Sequence, residues 1–172
     1  KRGQDVVLVS SGAIALGRGH LGLASGKLRL EESQAAAAVG QIRLAHAWKE
    51  VLEQRGHTVA QVLLTFGDTE QRRRYLNARN TLLALLDRSV VPIVNENDVV
   101  ATEEIKIGDN DNLSALVANL IDADLLILLT DQEGLFTADP RRSASATLIP
   151  EVPAITDAIV ALAAGAGTTR GI

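Results

Sequence analysis

The chain has 172 residues, 21 acidic against 17 basic, a net charge of −4 and no cysteine. Disulfides, thiol catalysis and cysteine-ligated zinc are therefore excluded, and no basic surface argues for nucleic acid. Hydrophobic residues make up 47 %, with Trp48, Tyr75, Phe66 and Phe136 as the aromatics, so one domain with an aliphatic core is expected, the profile of helices on both faces of a parallel sheet.

Lys1-Arg2-Gly3-Gln4-Asp5 reads as the tail of a helix turning into a strand, and the chain stops on Gly165-Ala166-Gly167-Thr168-Thr169-Arg170-Gly171-Ile172 without a closing element, so the expectation is a fragment cut at both ends. Val6 to Val9 is a short apolar run leading into Ser10-Ser11-Gly12, as a buried parallel strand entering a loop would be. Gln34 to Arg55 has helical spacing, with Ile42, Ala45, Trp48 and Leu52 on one face and Gly56 as the stop. A second strand runs from Thr58 to Phe66. Asp68 with Gln71 resembles a capping pair that opens a helix from Thr69 to Asp87. Val90 to Val94 is the third strand, with Pro92 favouring a place near its start or at an exposed edge. A helix from Asn112 to Asp122 follows. Leu125 to Leu129 is the cleanest buried-strand signal, and Thr156 looks like the N-cap of a short helix reaching Ala164.

Four strand-then-helix units imply right-handed crossovers and a doubly wound sheet, whose ligands bind beyond the carboxyl ends of the strands. Ser10-Ser11-Gly12, Asn95-Glu96-Asn97-Asp98 and Thr130-Asp131 all fall at such ends. A further polar cluster, Asp109-Asn110-Asp111-Asn112, opens the helix containing Leu113, Leu116, Val117 and Leu120. Asn and Asp are ordinary turn and cap residues, but apolar flanks can also hold such groups rigidly against a ligand.

Other signals are weaker. Gly17-Arg18-Gly19-His20-Leu21-Gly22 spells GxGxxG without lying directly between a strand and a helix, so it does not meet the requirement of a dinucleotide site. Lys27 has the wrong spacing for a P-loop. His20, His46 and His57 share no metal-ligand spacing, and structural roles are expected for them. GxSxG is absent. The basic run Gln71-Arg72-Arg73-Arg74-Tyr75 fits a solvated helix face or a subunit contact. The apolar window Leu113 to Leu129 is interrupted by Asp122 and Asp124 and is too short to span a bilayer. A cytoplasmic protein without membrane anchor or signal peptide is expected.

Val9 to Ile14 (VSSGAI), Asn95 to Asp98 (NEND), Lys106 to Ala115 (KIGDNDNLSA) and Leu129 to Arg141 (LTDQEGLFTADPR) occur in the order seen in the glutamate 5-kinase branch of the amino-acid kinase family. The resemblance covers nearly the whole chain. It implies a three-layer αβα sandwich with a mainly parallel open sheet, residues 1–172 being the central portion of one kinase domain. It also implies transfer of the γ-phosphoryl group of ATP, with Mg2+, to the side-chain carboxylate of L-glutamate in proline biosynthesis. Residue by residue, Ser11, Gly12, Ala13, Asn95, Asp98 and Asn110 resemble the substrate-binding positions. Asp111 resembles the aspartate that organises the catalytic lysines, and Thr130 and Asp131 resemble nucleotide contacts; no protein metal ligand is expected.

The chemistry fits these residue types. An α-ammonium group wants a carboxylate such as Asp98, and carboxylates want neutral donors such as the Ser11 hydroxyl, the Gly12 and Ala13 amides and the Asn110 amide. No general base is needed, because a carboxylate nucleophile is already ionised near pH 7. The family's two phosphate-facing lysines have no counterpart here, Lys106 being the only lysine near the site, so little or no kinase activity is expected of these 172 residues alone. The resemblance further implies a homo-oligomer, and proline as a feedback inhibitor acting near the Thr102 to Asn112 loop. The competing readings are another amino-acid kinase with a different carboxylate substrate and a non-catalytic glutamate- or proline-binding module.

Overall fold

At the centre lies β3 (Val90–Glu96), paired in parallel with β1 (Leu8–Val9) on one side and with β2 (Thr58–Leu64) on the other. The computed structural model describes residues 3–23, 25–100 and 110–165. The chain divides into two units, Lys1–Ile127 and Leu128–Ile172.

In the first unit the helices are α1 (Ala13–Leu21), α2 (Leu30–Glu53), α3 (Phe66–Glu70), α4 (Arg72–Leu86) and α5 (Asn110–Leu120). They cover both faces of the sheet, as consecutive residues of β3 demonstrate. Val94 points into the core cluster with Leu82 of α4 and Leu113, Val117 and Leu120 of α5. Asn95 points the other way and bonds Gln41 of α2. Since successive strand residues face opposite sides, α4 and α5 form one layer and α2 the other. This is the expected αβα arrangement around a parallel open sheet.

Three local details differ from the sequence pattern. Ile42, expected on the packed face of α2, is 74 % exposed, while the buried stripe runs through Ala37, Gly40, Gln41 and Leu44. A close crossing with α1 sets that stripe. A Cβ on Gly40 would lie 2.6 Å from the Gly17 nitrogen, and one on Gly17 would lie 2.9 Å from the Gly40 nitrogen. Only glycine on both helices permits this approach, and it explains Gly17, the first letter of the run Gly17 to Gly22, which is largely helix α1 rather than a phosphate loop.

Pro92 is buried inside the central strand, not at an exposed edge. The ladder explains how. The Val94 carbonyl accepts from the Ser10 amide on the β1 side, and alternate residues of a parallel strand bond the same neighbour, so Pro92 also faces β1. Pairing there starts only at Leu8 with Ile93. The missing proline N–H thus falls where no β1 partner stands.

The helix expected from Thr69 to Asp87 is two helices broken at Gln71, which is extended (φ −83°, ψ 111°). The capping pair lies three residues earlier than expected. The Thr65 amide and hydroxyl donate to the Asp68 carboxylate at 2.8 and 2.7 Å, with Arg74 on its other oxygen at 3.3 Å.

The largest correction concerns Leu125 to Leu129, which is not a strand and is exposed throughout, reaching 95 % at Leu129. Apolar β-formers become a strand only against a ladder, and no strand among the described residues pairs with them. Within the second unit, Phe136 and Leu148 form an antiparallel bridge, closed by Thr137 donating to the Thr147 carbonyl at 2.9 Å and Ile149 to the Leu135 carbonyl at 2.7 Å. The helix α6 (Asp157–Gly165) follows Thr156, whose hydroxyl accepts from the Ile159 amide at 3.4 Å, the expected cap. Among the described residues no helix is long and apolar enough to cross a membrane.

Candidate active site

Register alone brings two of the polar turns together. Val9 stands beside Val94, so the residues that follow, Ser10 to Ala13 and Asn95 to Asp98, leave the carboxyl ends of neighbouring strands side by side. β2 ends at the same level, with Leu64 beside Glu96 and the Asn97 amide donating to the Leu64 carbonyl at 2.7 Å.

The first turn is shaped by Gly12, which takes φ 108° and ψ −1° as it starts α1. A Cβ there would meet nothing within 4 Å, so the requirement is conformational, a left-handed backbone that side chains disfavour. The carbonyl of Gly12 accepts from Leu16 at 3.0 Å. The amides of the first turn of α1 have no intrahelical acceptor, which makes them donors for an anionic group. Ser11 and Gly12 are exposed, whereas Ala13 is buried against α2. Ser10, not among the expected contacts, is held from α2. The Trp48 indole N–H donates to its hydroxyl at 2.8 Å.

The second turn is buried. Asn95 is 1 % and Asp98 7 % exposed, and Glu96 is also inside. The Asn95 amide donates to Gln41 Oε1 at 2.7 Å, leaving Asn95 Oδ1 and Gln41 Nε2 buried without partners among the described residues. Asp98 Oδ1 is likewise buried and has no partner among the described residues. Burial first, and the neighbouring Glu96 carboxylate second, push the Asp98 carboxyl up to about 6. A buried acid lacking a counter-charge is costly unless something cationic reaches it. Such strongly perturbed groups cluster at functional sites.

Asn110 begins α5, which lies against β1, β3 and α3, and its Oδ1 is another buried atom without a partner among the described residues. Asp111 is exposed in the first turn, its carbonyl accepting the Ser114 hydroxyl at 2.6 Å. Lys106, Gly108 and Asp109 lie outside the described residues, as does most of the Thr102 to Asn112 loop. Thr130 and Asp131 belong to the second unit. There the Thr130 hydroxyl accepts from the Gln132 amide at 3.2 Å, and the Asp131 carboxylate from the Gln132 side chain at 3.2 Å. Among the described residues no group of three His, Cys, Asp or Glu side chains forms a metal site.

Among the described residues the unpartnered buried polar atoms come from Gln41, Asn95, Asp98 and Asn110, and three of those residues sit in the Asn95–Asp98 and Lys106–Ala115 motifs. The profile of the amino acid kinase family matches residues 1–169. The chain belongs to the amino acid kinase family. Within it, the chain is 58 % identical over 170 residues to the glutamate 5-kinase of Paramagnetospirillum magneticum, covering 99 % of this chain and 46 % of that protein. It is 60 % identical over 166 residues to the glutamate 5-kinase of Rhodopseudomonas palustris strain TIE-1, covering 96 % and 44 %. With the glutamate 5-kinase of Rhizobium etli it shares 59 % over 167 residues, covering 97 % and 43 %. The chain thus spans less than half the length of these curated family members.

The sequence placed Ser10 in a strand-end turn and Trp48 on a packed helix face without assigning either to the site, and it did not point to Gln41. Gln41 carried one faint signal, a polar side chain at a helical position flanked by Ala36, Ala37, Gly40 and Leu44, where a core-facing residue is normally apolar.

Proposed function

We propose that these residues form the amino-acid-binding part of an ATP-dependent kinase that phosphorylates the side-chain carboxylate of L-glutamate, giving glutamyl 5-phosphate at the first step of proline biosynthesis in the cytoplasm. The observation that carries this reading is Asp98. Its buried oxygen has no partner among the described residues and its pKa is pushed up to about 6, as suits a carboxylate that receives an ammonium group rather than standing alone. The identity to proteins named glutamate 5-kinase supports the choice of amino acid.

The roles follow from the chemistry of each group. Asp98 receives the α-ammonium, and the Asn95 side chain beside it is held in place by Gln41. The Ser11 hydroxyl and the first amides of α1, at Gly12 and Ala13, supply donors to a carboxylate, and Asn110 adds an amide that can donate to a second one. Asp111, exposed at the head of α5, can hold the ammonium groups of lysines that face the phosphates. Thr130 and Asp131 offer a hydroxyl and a carboxylate suited to a nucleotide's ribose or base edges. ATP supplies the γ-phosphoryl group, and Mg2+, which keeps water and phosphate as its main ligands, needs few protein groups. The task of the chain is to orient an already ionised nucleophile, for which fixed geometry matters more than proton removal. A homo-oligomer and inhibition by proline are part of the same reading.

The deciding experiment is an ATP-coupled assay of the full-length protein offered glutamate, aspartate and N-acetylglutamate in parallel. Preference for glutamate, with Asp98→Ala raising the glutamate KM at least about tenfold and the ATP KM little, is the expected result. Equal turnover of aspartate, or equal effects of Asp98→Ala on both KM values, would overturn it.

A further inference from the structure

Helix α2 reaches the two neighbouring strand-end turns described above, at Ser10 and at Asn95. Gln41 accepts from Asn95 at the end of β3. Trp48 donates to Ser10 at the end of β1. Gly40 lets the first turn of α1 come close enough that any side chain there would collide with the Ala13 carbonyl. Gln41, Leu44 and Trp48 are spaced by three and four residues and share one stripe of the helix. We propose that α2 is the positioning element of the site: Gln41 and Trp48 set the separation of the Ser10–Ala13 and Asn95–Asp98 turns and thereby the affinity for the amino-acid substrate. The inference rests on the substrate reading given above.

Three physical points support it. First, the Gln41–Asn95 pair is expensive as a mere core filler. Both residues are buried, one bond joins them, and Gln41 Nε2 and Asn95 Oδ1 find no partner among the described residues. Each unmatched buried group costs stability, which an apolar pair of the same size would avoid. Secondly, the two polar anchors lie about two helical turns apart, roughly 10 Å along the axis, and grip neighbouring strands. A rigid helix with two grips fixes both the spacing of the turns and their tilt, which one contact cannot do. Thirdly, Trp48 is half-buried with its only polar atom satisfied by Ser10, and Ser10 in turn precedes Ser11 and the left-handed Gly12. Neither Gln41 nor Trp48 needs to touch the substrate to act on it.

The test uses the full-length protein with Gln41→Leu, Trp48→Phe, Asn95→Leu and the Gln41→Leu/Asn95→Leu double variant. Gln41→Leu is expected to raise the glutamate KM about tenfold, the scale of one lost buried hydrogen bond, with the ATP KM within about twofold. Trp48→Phe, which keeps the packing and loses the N–H, moves the glutamate KM in the same direction by a smaller factor. Because Gln41 acts through Asn95, its effect should vanish in the Asn95→Leu background. A merely structural role would lower the melting temperature and the active fraction while leaving both KM values alone, and that outcome overturns the proposal. So does a Gln41→Leu effect that persists undiminished without Asn95. If Gln41→Leu does not fold, Trp48→Phe decides by the same KM split. If the parent protein fails to phosphorylate glutamate, the substrate reading falls by itself. Positioning is then read by calorimetry with glutamate, aspartate and N-acetylglutamate, where whichever binds the parent must bind Gln41→Leu about tenfold more weakly. Unchanged binding, or binding of none of the three, ends the proposal.

Discussion

Gly17 of α1 and Gly40 of α2 lie backbone to backbone, each occupying the space where the other helix would meet a side chain. Two helices that cross on glycine bring the Ala13 end of α1 against α2 and hold the start of the Ser10–Ala13 turn. Gly40→Ala forces backbone atoms apart rather than a flexible side chain, so a loss of about 3 kcal/mol is expected, lowering the melting temperature by roughly 6–12 °C. Gly19 in the same helix is the control. A Cβ there meets nothing within 4 Å, and Gly19→Ala should stabilise by about 0.5–1 kcal/mol through helix propensity. Calorimetric melting of both variants checks this; equal shifts would dismiss the crossing as a cause.

Asp98 makes the free protein less stable as the pH rises. Its pKa in the fold, about 6, exceeds the ordinary 3.8, so the folded form holds the proton more tightly than the unfolded one. The associated stability is fully present below pH 3.8, and it is lost as the pH climbs through about 6. The difference is on the order of 3 kcal/mol. Asp98→Asn should therefore be the more stable protein at pH 8 and indistinguishable at pH 3.5, as read by urea unfolding at each pH. A substrate ammonium reverses the penalty by pairing with the ionised form, so the glutamate KM should rise as the pH falls below about 6.

Thr65 and Asp68 make the opposite case. Burial pushes the Asp68 carboxyl up, but the Thr65 hydroxyl and amide and the Arg74 guanidinium outweigh it and hold the pKa below the ordinary value. This contribution exists above the unfolded pKa and disappears as the pH drops through the lower folded one. Thr65→Val keeps the shape, removes one donor and should cost about 1 kcal/mol at pH 7. The cost should shrink in acid; a penalty independent of pH would locate it in packing instead.

Asp111 is exposed at the head of α5, so its replacement by alanine should cost only about 0.3–1 kcal/mol through the helix dipole. Its proposed role lies in the phosphoryl transfer. In the full-length enzyme we expect kcat to fall by at least about tenfold with both KM values nearly constant. An unchanged kcat removes Asp111 from that role.

The sequence made the sheet's carboxyl rim legible because short apolar runs ending in Ser, Asn and Asp mark both the strands and the polar turns at their ends. The boundaries of β2 and α5 came within two residues at each end for the same reason. What remained hidden depends on partners in space. Ile42 has the right period for a packed face, yet the crossing of Gly17 and Gly40 rotates α2 so that Gln41 takes the inward position. Pro92 looks wrong for a central strand until β1 is seen to begin its pairing one residue later. Asp98 was a candidate by residue type alone; that it is buried without a partner among the described residues is a property of the fold and leaves no trace in spacing.

Leu125 to Leu129 carries a further consequence. Five consecutive aliphatic residues, free of charge and proline and facing water, have the makeup of a segment that templates cross-β stacking. Expressed as these residues alone, the polypeptide should turn cloudy on concentration, and a lysine placed at Ile127 should keep the solution clear.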